Sequence, residues 1–239
     1  MLLLGLAALW WSGGVLPIFR SAAPVREITE AIISGQRFRP GVLDEALTRM
    51  QRDPPPLVMR AAIIRAAALV ELSVAEGASE RKSAEEADQE IVAAGDRVRT
   101  SLATNPADSF LWLMIYSLKA MSQGFSIENI RYLVQSYATG PREGWIALRR
   151  SRMALSVFPM LSPAAQQRVV SEFVDLVNSE FVEAAASNLT TVGWPQRERL
   201  LNALQVVHLA AKRGLRKRLF ADGIIVQIPG VDLEERPWH

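Results

Sequence analysis

Two histidines, no cysteine and scattered carboxylates set the chemistry open to this 239-residue chain. A serine triad needs a histidine to take the proton. The two present are His208, set among Val206, Val207 and Leu209, and the terminal His239. The apolar surroundings predict His208 inside a helix, packed or half-buried. Without cysteine, disulfides, Cys-ligated zinc and thiol catalysis are excluded. Metal binding would fall to carboxylates alone, and Glu85-Glu86 and Glu234-Glu235 read as exposed acids. Neither a phosphate-binding loop nor a dinucleotide-binding glycine motif follows a strand. No catalytic residue, metal ligand or cofactor is expected. One enzymatic route stays open, a glycan-active site built from two acids facing each other across a groove about 5–10 Å wide.

The remaining chemistry is cationic. "RRSR" supplies Arg149, Arg150 and Arg152, and a spacing of three puts Arg149 and Arg152 on one helical face. "KRGLRKR" gathers Lys212, Arg213, Arg216, Lys217 and Arg218. Solvation is the ordinary fate of such charges. The sharper reading is a surface for an anion: acidic polysaccharide, lipid head groups or an acidic protein face. Its candidates are Arg149, Arg152, Arg213, Arg216 and Lys217, with Tyr116 as an aromatic flank that fits a core equally well. The whole chain carries a net charge of only +2, small for a general nucleic-acid binder, so no nucleic-acid partner is expected.

The elements that must hold these side chains read as helices. Alanine and aliphatic residues dominate and strand-like alternation is scarce, which predicts an all-α fold. Met1 to Phe19 contain no charged side chain. As a helix they would reach about 28 Å, close to the ~30 Å hydrocarbon core, and residues 1–19 are expected to be a single membrane anchor. Orientation pulls two ways: Arg20 and Arg26 follow the span, which by the positive-inside rule would leave the body cytoplasmic.

Past the anchor, Pro and Gly punctuate short helices over 24–35 and 40–53. A nearly apolar helix follows Pro56, and its Arg60, Arg65 and Glu71 argue against a second span. Residues 79–106 place Ala84, Ala87, Ile91, Ala94, Val98 and Leu102 at helical spacing. "NPADSFLWLMIYSLKAMSQGFS" (105–126) is apolar on every side yet too short to cross a bilayer. Asp108 or Ser109 can cap it and Gly124 ends it. Ser126 then opens a helix whose stripe is Ile127, Ile130, Leu133, Val134 and Tyr137, stopped at Gly140-Pro141, so the pair reads as a helical hairpin. Another aromatic-started helix, "EGWIALRRSRMALSVF", comes next. "AAQQRVVSEFVDLVNS" after "LSP" carries Val169, Val170, Phe173, Val174 and Val177 on one face, 181–189 follow, and one long helix is expected from Pro195 to Gly223. The domain is expected to run over 20–223, with 224–239 an extended tail in which "IIVQI" packs on the body.

Pro106 and Pro141 lie 35 residues apart, and a helical-hairpin period near 34 resembles the tetratricopeptide repeat. The resemblance covers Asn105 to Ser179. Bulky Ile115 or Tyr116 stands where that family has a small residue. It implies antiparallel hairpins stacked as a short TPR-like solenoid. Behind the N-terminal span, "NPADSFLWL", "GPREGWIALRRSRMAL", "GWPQRERLL" and "PGVDLEERPW" are also similar to the bacterial VpsP-type polysaccharide biosynthesis proteins. That resemblance implies a periplasm-facing accessory protein of the bacterial inner membrane, with envelope polysaccharide-synthesis or export proteins as partners and acidic polysaccharide as a ligand. It transfers no active-site residues. The expectation is a non-catalytic, membrane-anchored scaffold acting through protein contacts. Its rivals are the carboxylate-pair glycan enzyme and a cytoplasm-facing body whose 212–218 cluster meets anionic lipid or nucleic acid.

Overall fold

Side-chain caps decide where several of the helices begin. The structure, a computed structural model, describes residues 27–28, 31–32, 38–39, 41–52, 60–78, 83–141 and 143–231. The expected anchor at 1–19 and half of the tail, 232–239, lie outside them. The first unit, up to Gly124, contains α1 (Val42–Arg52), α2 (Arg60–Ala78), α3 (Ala84–Thr104) and α4 (Ser109–Gln123). Glu27, Ile28, Ala31 and Ile32 are helical as well. A capping box starts α3: Ser83 Oγ accepts from the Glu86 amide, and the Ser83 amide donates to Glu86 Oε2. Asp108 starts α4, accepting from the Phe110 and Leu111 amides at 3.1 Å.

In this unit each helix packs on its sequence neighbour: α1 on α2, α2 on α3, α3 on α4. Ala66 to Val70 of α2 are buried in one run, as are Ile91, Ala94, Val98 and Leu102 of α3. Two charges of α2 find partners of opposite sign. Arg65 Nε lies 2.6 Å from Asp108 Oδ2, and Glu71 pairs with Arg97 of α3. Burial outweighs Arg97 and pushes the Glu71 carboxyl above its usual range. Phe110, Leu111 and Leu113 to Leu118 of α4 are all buried, so this stretch is an inner helix. Among the described residues no helix is long and apolar enough to cross a membrane.

The second unit begins at Phe125, in the turn after Gly124, whose φ of +72° suits glycine. The described residues of the expected 20–223 domain divide between these two units. The second holds α5 (Ile127–Thr139), α6 (Gly144–Ser156), α7 (Pro163–Asn178), α8 (Val182–Thr190), α9 (Arg197–Ala203) and α10 (Leu209–Ala221). Single 3-10 turns lie at Phe158–Met160, Trp194–Gln196 and Leu204–Val206. Ser126 caps α5, and Ser162 caps α7 with Pro163 in its first turn. α7 is the hub, packed on α6, α8, α9 and α10. Its inner face is Val169, Val170, Phe173, Leu176 and Val177. Close approach of α8 and α10 occurs at Gly214, where a Cβ would sit 3.6 Å from Val182 Cγ2.

Four expectations are corrected here. The helix expected from Pro195 to Gly223 breaks at Leu204–His208. His208 is therefore exposed at the boundary of α10, not packed within a helix. On α5, Ile127 is 75 % exposed, because it occupies the first turn ahead of the buried Ile130, Leu133 and Tyr137. Val174 is only half-buried, and Leu176 fills the core in its place. The described part of the tail is irregular, with no strand among the described residues; Ile228 and Val231 are buried while Ile225 is 75 % exposed.

Candidate functional site

The deepest polar cluster of the second unit forms around Arg150. Helix α6 carries it four residues after buried Ile146 and four before buried Ala154, so the side chain points into the core and is 0 % exposed. Its Nε donates to Glu172 Oε2 at 2.8 Å, and Nη2 donates to the same oxygen. Nη1 donates to the carbonyls of Ser136 and Gly140 at 2.9 and 3.0 Å, and to Ser136 Oγ at 3.3 Å. Those carbonyls belong to the end of α5, where the helix dipole favours a cation. The Tyr137 hydroxyl donates to Glu172 Oε1 at 2.7 Å, and the guanidinium lies 4.1 Å from the Tyr137 ring centroid. One arginine thus ties α5, α6 and α7 together.

Burial controls the electrostatics of this cluster. It raises the Glu172 carboxyl above its ordinary range, while Arg150 and the Tyr137 hydrogen bond hold it back and Asp175 adds a smaller push upward. The Tyr137 phenol is raised well above its ordinary range, chiefly by burial and then by Glu172, and stays protonated as the donor. Both oxygens of Glu172 and every guanidinium nitrogen are engaged, so the cluster presents no unpaired nucleophile or base.

A surface groove of about 360 Å³ opens beside it, lined by Glu172, Asp175, Ser171, Ser179, Gly144 and Phe181 among others. Glu172 and Asp175 are three residues apart on α7 and so share one wall, whereas glycoside hydrolysis needs acids flanking the bond. Among the described residues no three His, Asp or Glu side chains are gathered to hold a metal ion.

The sequence-expected candidates divide into three places. Arg149 and Arg152 are on α6, half-buried and exposed respectively. Tyr116 lies in α4 of the first unit, 3 % exposed, with no hydrogen-bond partner for its hydroxyl. It belongs to a core, not to a surface for sugar rings. Arg213, Arg216 and Lys217 do come together on the outer side of α10, where Arg213 and Lys217 are exposed and Arg216 is half-buried. Arg216 is engaged as well, as are the other two cations of that cluster. Lys212 is buried, with Nζ donating to the Pro229 carbonyl at 3.0 Å. Arg218 pairs with Glu183 at 2.8 Å and Asp222 at 3.1 Å.

Sequence reasoning missed Arg150 and Glu172 as partners. The available signal was Glu172 inside the apolar run "VVSEFVDLV", on the side that carries Val169, Phe173 and Leu176. A carboxylate on a core face demands a buried cation. No family model, curated protein or solved structure matches this chain.

Proposed function

We propose that this protein is a membrane-anchored helical scaffold that supports envelope polysaccharide synthesis or export by binding other proteins of that system. The Arg150–Glu172–Tyr137 cluster carries the reading. Buried charge here locks three helices into a fixed frame, and the same unit exposes Phe125, Val206, Phe220 and Ile225 to solvent. A stiff helical frame with apolar side chains on its surface suits partner binding. The finer architecture, a short TPR-like stack behind a transmembrane helix at 1–19, is supported by the 35-residue proline spacing and the charge-free N-terminus. The body is placed in the periplasm, on the resemblance to VpsP-type proteins.

Two experiments test this. A C-terminal alkaline phosphatase fusion should be active if the body is exported; fluorescence of a C-terminal GFP fusion without phosphatase activity contradicts it. Photo-crosslinkers at Phe125 and Val206 should join the chain to a polysaccharide-synthesis or export protein in cells. A second reading, a glycan-active enzyme, rests on one observation: the exposed carboxylate of Asp175 lines a groove. It requires turnover that is lost in Asp175→Asn.

A further inference from the structure

Helix α10 faces outward with an unusual composition. At 100° per residue, Leu209, Arg213, Arg216, Lys217 and Phe220 fall within an arc of about 100°. The opposite side, Ala211, Lys212, Leu215 and Leu219, is buried. Phe220 is 66 % and Leu209 43 % exposed, and they stand eleven positions apart, about 16 Å along the helix. The cations lie between these two apolar ends. No acid interrupts Leu209–Ala221, and Asp222 just beyond it is engaged by Arg218.

We propose that this face of α10 docks on an anionic phospholipid surface, with Leu209 and Phe220 entering the interface and the exposed Arg213 and Lys217 meeting lipid phosphates. The charge sign selects an anionic occupant, and each cation near such a surface contributes separately. Apolar side chains flanking the cations can enter the interface while the long cationic side chains stay at head-group depth. A specific protein interface centres its apolar anchors within a polar rim and uses some 20–30 residues a side. Four exposed side chains with apolar ends fit a laterally uniform partner better. The inference goes beyond the scaffold reading and gives the body a second contact with the bilayer.

The chain contains no cysteine, so a nitroxide on Phe220→Cys reports this position alone. The full-length labelled chain is mixed with vesicles of phosphatidylcholine, with or without 30 % phosphatidylglycerol. Flotation with phosphatidylcholine vesicles reports the N-terminal anchor separately. The label should lose access to a water-soluble nickel relaxant only on phosphatidylglycerol vesicles, and 0.5 M salt should restore access. Arg213→Ala with Lys217→Ala should lower the docked-to-undocked ratio on the order of 30-fold, with circular dichroism unchanged. A control label at Glu198→Cys, on α9, should keep its access. Equal access at position 220 on both vesicles overturns the proposal. So does protection by soluble polyglutamate without protection by vesicles, which would make the partner an acidic protein.

Discussion

Arg150 and Glu172 stand 22 residues apart in the chain, yet the Arg150 Nε lies 2.8 Å from the Glu172 carboxylate, with the two side chains 0 % and 3 % exposed. A buried ion pair is weak grounds for stability by itself, because desolvation offsets much of the attraction. Removing one partner, however, strands the other charge. Arg150→Met should therefore cost about 3–5 kcal/mol in urea unfolding. Arg150→Met combined with Glu172→Leu and Tyr137→Phe should cost less than the single change. An additive loss across the triple variant would show that the pair is not coupled.

Acid should act on this pair in an unaccustomed direction. Burial raises the folded-state Glu172 carboxyl above its ordinary 4.5, so between 4.5 and that higher value the folded chain holds more protons than the unfolded one. Stability contributed by this group is fully present below 4.5 and is lost as pH rises through the folded value. Relative to Glu172→Gln, the native protein should gain stability as pH falls from neutral toward 4.5. A relative loss over that window would mean that Arg150 outweighs burial.

The first unit has its own lock at Asp108, which caps α4 and contacts Arg65 at 2.6 Å. That contact is one of charge, since the Arg65 Nε–H is not aligned for a hydrogen bond. Asp108→Ala should cost about 1–2 kcal/mol, mostly from the cap. Asp108→Asn keeps the cap, and with Arg65 31 % exposed it should cost no more than about 1 kcal/mol. Equal losses in thermal melts would shift the weight to the ion pair.

Gly193 is required by space. Its φ of −87° is ordinary, but a Cβ there would meet the Asn188 carbonyl at 2.8 Å and Leu189 Cα at 3.2 Å. Gly193→Ala should cost about 1–3 kcal/mol by overpacking. Gly144→Ala, whose Cβ finds Phe181 at 3.7 Å, should be tolerated. Matched melting temperatures for the two variants would contradict the packing argument.

The sequence was most legible where local chemistry sets the structure. Asp108, Ser126 and Pro163 mark helix starts because capping and proline geometry act within one turn. The break at Leu204–His208 left no such mark. Leu200, Leu204, Val207, Ala211 and Leu215 are all buried, so the helical spacing runs on across the interruption while the backbone turns. Arg150 was hidden in a similar way. In "RRSR" it looks like one of several surface cations, and only the folded α5 and α7 supply its acceptors. The "KRGLRKR" cluster likewise divides only in three dimensions, where Lys212 turns inward, Arg218 pairs with Glu183 and Asp222, and Arg213 and Lys217 face solvent.

The central claim, binding in place of turnover, is tested most directly by purifying the full chain from detergent extracts of the cells that express it and assaying the preparation on envelope glycans. The account predicts recovery of a polysaccharide-synthesis or export protein in stable proportion, with the glycan unchanged. A chain that purifies alone and cleaves the glycan, with cleavage lost in Asp175→Asn, would contradict it.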